Sequence, residues 1–231
     1  MRLFFEQPIF GVTLTLLAYY LSGLLKNRFD YILFNRILIS VVIIIIVLLV
    51  LHIDFEQYNI GGKYISFFLG PSVVALGVFL YEKLEEIKQD LKPFVISVVL
   101  GGLVGMVSVL GSLYLWNSPE ILSRSLIAKS VTTPIAIEIT KITEGLPEIT
   151  AGIVILTGIL GNAIGAPFLK KLGINNPLAI GAALGTSAHG IGTARAFEIT
   201  KSAGVYSGLA MCFNGLLTAL LAPYILEWFF S

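Results

Sequence analysis

Eight apolar stretches, each close to the length of a bilayer-crossing helix, fill almost the whole chain. A hydrocarbon core of about 30 Å takes about 20 helical residues. On that ruler the stretches are residues 8–25, 32–51, 64–81, 93–116, 121–140, 147–169, 177–197 and 203–230. Short polar pieces join them, and the longest, residues 82–92, reads as an amphipathic helix leaving the membrane for water. No linker is long enough to separate domains, so residues 1–231 read as a single integral membrane domain. The first stretch begins after Arg2, Glu6 and Pro8, has no small-residue cleavage site and ends on Lys26, Asn27 and Arg28. It reads as a retained membrane segment rather than a signal peptide.

Charge and cysteine usage remove the other classes. Charged residues make up 13% of the chain, about half the share of a soluble domain. A net charge of +1 leaves no electrostatic footprint for nucleic acid. The single cysteine, Cys212, excludes a disulfide framework and a CxxC metal or redox site. HExxH, GxSxG and P-loop patterns are absent, and Gly190-x-Gly192 lacks the third glycine and preceding strand of a dinucleotide site. The chain therefore reads as a non-enzymatic membrane protein with neither cofactor nor metal.

Two stretches break the apolar pattern. Residues 121–140 hold Arg124, Lys129, Ser130, Thr132, Thr133, Pro134 and Glu138; residues 177–197 hold Thr186, Ser187, His189, Gly190, Gly192, Thr193 and Arg195. Charges and irregular backbone at membrane depth occur where protein or a water-filled cavity surrounds them. Three glycines within Gly185–Gly192 disfavour a continuous helix, at up to about 1 kcal/mol each relative to Ala. Pro134 lacks an N–H and frees the carbonyl four residues earlier, at Ser130. Both stretches are therefore expected to be broken helices whose second halves present free N–H groups to an anion. Thr132, Thr133, Ser187 and Thr193 would add hydroxyls, and Arg195 a fork that matches a carboxylate. His189 would hold a hydroxyl or oxo group, or carry a proton. Glu138 is expected to pair with Lys129, Arg195 or a proton. Asn162 either lines the same cavity or ties helices together. Packing is the reading for the pairs Gly101/Gly105 and Gly161/Gly165.

A shift of 115 residues lays Leu69-Gly70-Pro71-Ser72 on Leu184-Gly185-Thr186-Ser187 and Gly77 on Gly192, with the hydropathy blocks in one register. Two repeated halves, roughly residues 1–116 and 117–231, follow. If residues 8–25 and 121–140 enter and leave on one side while the other six stretches span, the positive-inside rule is well satisfied and the halves are inverted. Eight full spans, with parallel halves, is the alternative. The fold class is thus an all-α membrane protein, a multi-span helical bundle with two inverted repeats and discontinuous or re-entrant helices.

Three motifs, Lys129-Ser-Val-Thr-Thr-Pro-Ile-Ala136, Gly185-Thr-Ser-Ala-His-Gly-Ile-Gly-Thr-Ala-Arg195 and Leu69-Gly-Pro-Ser-Val-Val-Ala-Leu76, resemble those of the LrgB/CidB family of bacterial membrane proteins. Plant relatives of that family include the plastid glycolate/glycerate translocator. Val73 and Phe79 depart from the family's first-half pattern, so the second-half motifs carry the resemblance. The resemblance implies a multi-pass protein of the bacterial plasma membrane. It also implies one of two functions: transport of small monocarboxylates such as glycolate, glycerate or pyruvate, or antiholin-like control of murein hydrolases and autolysis. A small LrgA/CidA-type membrane partner and a homo-oligomer, a dimer, belong to the same expectation. The candidate binding residues are Ser130, Thr132, Thr133, Pro134, Asn162, Ser187, His189, Gly190, Gly192, Thr193 and Arg195, with Lys129 and Glu138 as coupling or ion-pair groups.

Overall fold

The computed structural model describes residues 5–28, 36–68 and 84–231, together with residues 71, 74, 75, 78 and 81. Among them the regular elements are all helices: α1 (Pro8–Arg28), α2 (Arg36–Leu51), α3 (Phe55–Phe67), α4 (Leu84–Leu115), α5 (Glu120–Leu126), α6 (Thr133–Ile142), α7 (Pro147–Lys171), α8 (Pro177–Ile199) and α9 (Lys201–Phe230). Four of them contain a stretch long and apolar enough to cross a membrane: Pro8–Arg28, Asp90–Leu115, Pro147–Lys171 and Lys201–Phe230. The chain packs as two compact units, Met1–Val78 and Phe79–Ser231. Of the first-half motif, Leu69, Gly70, Ser72, Val73 and Leu76 lie outside the described residues, as do Gly77 and Phe79.

In the first unit α1 packs on both α2 and α3. Contact with α3 is close because glycine stands on both sides. A Cβ on Gly11 would lie 2.3 Å from the Tyr58 carbonyl oxygen, and one on Gly61 only 2.2 Å from that of Pro8. One turn on, the Thr15 hydroxyl donates to the Gly11 carbonyl and meets the Tyr58 hydroxyl, each at 2.8 Å. The expected in-and-out course of residues 8–25 is replaced by an unbroken helix of 21 residues. Its only proline, Pro8, stands at the first position, where no N–H is required, so nothing interrupts the ladder.

Three long helices frame the second unit. Phe94 meets Tyr206 with ring centroids 5.6 Å apart, and Tyr114 meets Phe229 at 5.8 Å. Helices α4 and α9 therefore run side by side in the same direction. Between them in sequence come two hairpins, divided by α7.

The first hairpin is α5 and α6 with residues 127–132 as its tip. At 1.5 Å per residue these helices are about 10 and 15 Å long, well short of a bilayer core. They run back to back. Arg124 on α5 donates to the Thr143 carbonyl at the end of α6 at 2.8 Å. The Ser125 hydroxyl accepts from the Leu146 N–H, and the Ser125 carbonyl accepts from the Thr150 hydroxyl, both at 2.8 Å. Pro134 does not kink a continuous helix; it stands in the first turn of α6, after an extended Thr132.

The second hairpin was expected to be a membrane crossing. Within α8 the backbone leaves helical geometry at Ala188 (φ −133°, ψ 18°) and His189 (φ 42°, ψ −135°). There the chain reverses. Outgoing and returning legs touch at Gly192, where a Cβ would lie 2.3 Å from the Leu184 carbonyl oxygen. Ile199, near the end of the returning leg, shares a pocket with Ile174 and Asn175, just before the outgoing leg starts. A positive φ at a histidine is strained backbone, and the lack of side chains at Gly190 and Gly192 lets the second leg lie against the first.

The hairpins enter from opposite ends of the bundle. Ile127, Val131, Ala136 and Ile139 of the first pack with Leu110, Ala222 and Leu226, at the late ends of α4 and α9. Ala182 of the second packs with Phe94, Val98, Val205 and Tyr206, at their early ends. Helix α7 passes between, its Thr150 bonded to the Thr140 hydroxyl at 2.8 Å and its Gly161 and Gly165 seated on Ala188 and Leu184. Gly161 and Gly165 thus serve packing, as their spacing suggests, but within one chain.

This topology predicts the sidedness of labelling. In a Cys212→Ala background, cysteines at Asn175 and Lys201 should react with an impermeant maleimide from the same side of the membrane. Cysteines at Ser118 and Glu144 should react together from the other. Opposite sidedness for positions 175 and 201 would restore a crossing helix and break the second hairpin.

Candidate functional site

Where the two tips approach each other, the second unit holds a half-open cavity of about 840 Å3. The first hairpin contributes Ile127, Lys129 and Ser130, and the second Ala182, Ala183, Thr186 and Ser187. Ser97, Gly101 and Gly105 come from α4, Thr157 and Gly161 from α7, and Asn214 and Thr218 from α9. The volume suits a small-molecule site, and its walls are largely apolar with a few placed polar groups.

Among the described residues Lys129 is the one charged residue lining this cavity. It sits in the non-helical tip, half-buried, with its ammonium donating to the Ser130 hydroxyl at 3.2 Å. Among the described residues no carboxylate pairs with it. Glu138, expected as a partner, instead pairs with Lys141 at 2.7 Å on an exposed face. The reason is register: α6 starts at Thr133, so residues 138 and 141 stand one turn apart on its outer surface.

Asn214 joins the two breaks. Its amide donates to the Thr186 carbonyl at 3.1 Å and makes a long contact of 3.5 Å with the Ser130 carbonyl. The remaining oxygen, Oδ1, is buried without a hydrogen-bond partner, as is the Thr186 hydroxyl. Buried polar atoms in this state are uncommon and call for an explanation. Both residues line the cavity, with the two atoms themselves turned into its wall. Gly102 backs this arrangement closely: a Cβ there would lie 2.5 Å from Asn214 Oδ1.

Only some of the expected residues meet here. Lys129, Ser130 and Ser187 line the cavity, with the Ser187 hydroxyl also donating to the Ala183 carbonyl at 2.7 Å. Thr132, at the end of the tip, and Thr133 and Pro134 after it do not line the cavity, and Gly190 and Gly192 shape the reversal. His189 braces the turn: its Nε2 donates to the Val154 carbonyl of α7 at 3.0 Å, and its own carbonyl accepts from Thr193 at 2.9 Å. Thr193 also meets the Ser207 hydroxyl at 2.9 Å. Asn162 ties α7 to the returning leg by donating to the Ile191 carbonyl at 2.8 Å, the interhelical alternative of the two it was given. Arg195 lies elsewhere, paired with Glu198 and lining a separate pocket beside Lys170. The hairpin is the physical reason. A reversal at His189 carries residue 195 back to the end of the bundle from which the leg set out.

Asn214 and Thr218 escaped sequence reasoning, and Thr186 was noticed without being counted as a binding residue. The signal for Asn214 was its amide, the one Asn or Gln side chain in residues 203–230, which at membrane depth calls for a hydrogen-bond partner.

Comparison with known proteins gives a consistent picture. The model of the LrgB-like family matches residues 15–228. The uncharacterized protein YwbG of Bacillus subtilis is 32% identical over 220 residues, covering 95% of this chain and 98% of that protein. An uncharacterized protein of Haemophilus influenzae is 33% identical over 215 residues, 93% of each chain. The antiholin-like protein LrgB of Bacillus mycoides is 31% identical over 222 residues, 96% of each. No solved structure matches the chain.

Removing the Asn214 amide leaves two carbonyls at the tips without their donor. Asn214→Leu should lower stability in detergent by about 1–2 kcal/mol, read as a fall in thermal midpoint. An unchanged midpoint would mean that Asn214 does not bind the tips together.

Proposed function

This chain belongs to the LrgB-like family, and from that premise we propose that it carries small monocarboxylates, of the glycolate, glycerate or pyruvate type, across the bacterial plasma membrane. One observation carries the reading: Lys129 lines a cavity of about 840 Å3 with no other charge on its walls among the described residues. A cation held at membrane depth without a carboxylate partner is costly unless an anion meets it. In this reading the substrate carboxylate pairs with Lys129 and accepts from Ser130, while Ser187 and Thr157 on the facing walls address the rest of the molecule. A singly charged guest neutralises the site; a dicarboxylate would leave one charge without a partner.

Two tips meeting from opposite ends suit alternating access, because movement of either hairpin opens the site to one side. The end of the bundle carrying Lys88, Lys92, Lys170, Lys171 and Lys201 faces the cytoplasm by the positive-inside rule. A homodimer and a small LrgA/CidA-type membrane partner are part of the same proposal.

A second reading, antiholin-like control of autolysis, draws on the name of the Bacillus relatives. It assigns no solute to the cavity and makes Lys129 dispensable.

Uptake separates the two. Proteoliposomes of the wild type should accumulate labelled glycolate or pyruvate. Lys129→Gln should reduce uptake by at least tenfold, about the worth of one lost charge-assisted bond. Glu138→Gln, at the exposed pair with Lys141, should leave it unchanged. Absence of uptake by the wild type, or full uptake by Lys129→Gln, would sink the transport reading.

A further inference from the structure

A second cavity of about 400 Å3 opens at the end of the bundle where α7 finishes and where the second hairpin both starts and ends. Lys170, Asn175 and Arg195 give its polar lining, and Ile174, Ile180 and Ile199 give an apolar wall. The Arg195 guanidinium pairs with Glu198 through Nη1, while its Nε is buried without a hydrogen-bond partner. Lys170, in the last turn of α7, is exposed and forms no ion pair among the described residues. Two cations against one carboxylate leave a single net positive charge, with an unused buried donor beside it. Lys171 is adjacent in sequence and adds to the field.

We propose that this pocket holds the head group of an anionic phospholipid. The phosphodiester oxygens accept from Arg195 and Lys170, and the glycerol and first chain carbons lie against the isoleucine wall. Three features select a lipid over a free anion. The pocket sits at an end of the membrane-crossing helices, where head groups lie. Its charge matches the single negative charge of a phosphodiester. Its apolar wall gives nothing to a hydrated inorganic phosphate but suits an amphiphile. Arg195 stands on the returning leg, Ile180 on the outgoing leg and Lys170 on α7. A lipid seated here therefore pins both legs of the hairpin to a framing helix. The assignment does not depend on what the larger cavity carries.

The test is native mass spectrometry of the full chain released from nanodiscs of mixed phosphatidylglycerol and phosphatidylcholine. The wild type should retain phosphatidylglycerol in preference to phosphatidylcholine. Lys170→Gln and Arg195→Gln should each weaken retention about fivefold, the worth of one interfacial charge, whereas Arg195→Lys should keep most of it. Lys170 is exposed, so its variant reports on binding without disturbing the fold, and a thermal midpoint checks the same for Arg195→Gln. Equal retention of both lipids, or undiminished phosphatidylglycerol on Lys170→Gln and Arg195→Gln, would overturn the proposal. Displacement of the lipid by millimolar inorganic phosphate would assign the pocket to a soluble anion instead. Glycolate uptake plays no part in any of these outcomes, so failure here and failure of the transport reading are told apart.

Discussion

Backbone amides and carbonyls at membrane depth have no water to bond with, and each one left open costs several kcal/mol. Two hairpins with non-helical tips violate the simplest way of meeting that demand, and side chains from neighbouring helices make good the loss. Asn214 donates to Thr186 across the second tip and reaches Ser130 in the first. His189 and Asn162 tie the reversal to α7 through the Val154 and Ile191 carbonyls. At the outer end of the first hairpin Arg124, Ser125 and Thr150 do the same for the turn before α7. Most polar residues that look out of place in an apolar chain are thus accounted for by the backbone they serve.

What remains after that accounting is small and localised. Lys129, the Thr186 hydroxyl and Asn214 Oδ1 are not used up by the protein's own backbone, and their three residues line the same cavity. Their coincidence comes from topology. Hairpins entering from opposite ends bring two breaks together midway along α9, where Asn214 stands fourteenth of 30 residues. A site built from tips, rather than from the faces of crossing helices, is lined by elements that can move without dismantling the three-helix frame.

Arg195 shows that local chemistry alone does not decide where a side chain is carried. Within eleven residues of the Gly185 motif it looks like the natural partner of a carboxylate, and a straight helix would leave open which way it faces. Reversal of the chain at His189 takes it about two turns back towards the bundle end, into company with Lys170. Lys129, which has the same charge and lies in an equally polar stretch, stays in the tip because only Ser130 and Val131 separate it from the extended Thr132. Distance along the chain from the reversal, not residue type, decided between them.

Composition and segment length determined on their own that this is an all-helical membrane protein, because apolar runs of about 20 residues match a bilayer-crossing helix, which closes its own hydrogen bonds, and are about twice the length of a crossing strand. Glycine, proline and hydroxyl clusters likewise located both breaks, since these residues weaken a helix wherever they stand. Sequence did not distinguish a kinked crossing at residues 177–197 from a hairpin, nor an interrupted segment at residues 8–25 from a continuous helix. Those outcomes rest on φ at His189, on the close approach of Gly192 to Leu184, and on contacts between residues far apart in the chain. Asn214 became part of the site for the same reason. Its neighbours across the cavity, Ser130 and Thr186, are 84 and 28 residues away, and only packing in three dimensions brings a donor to both.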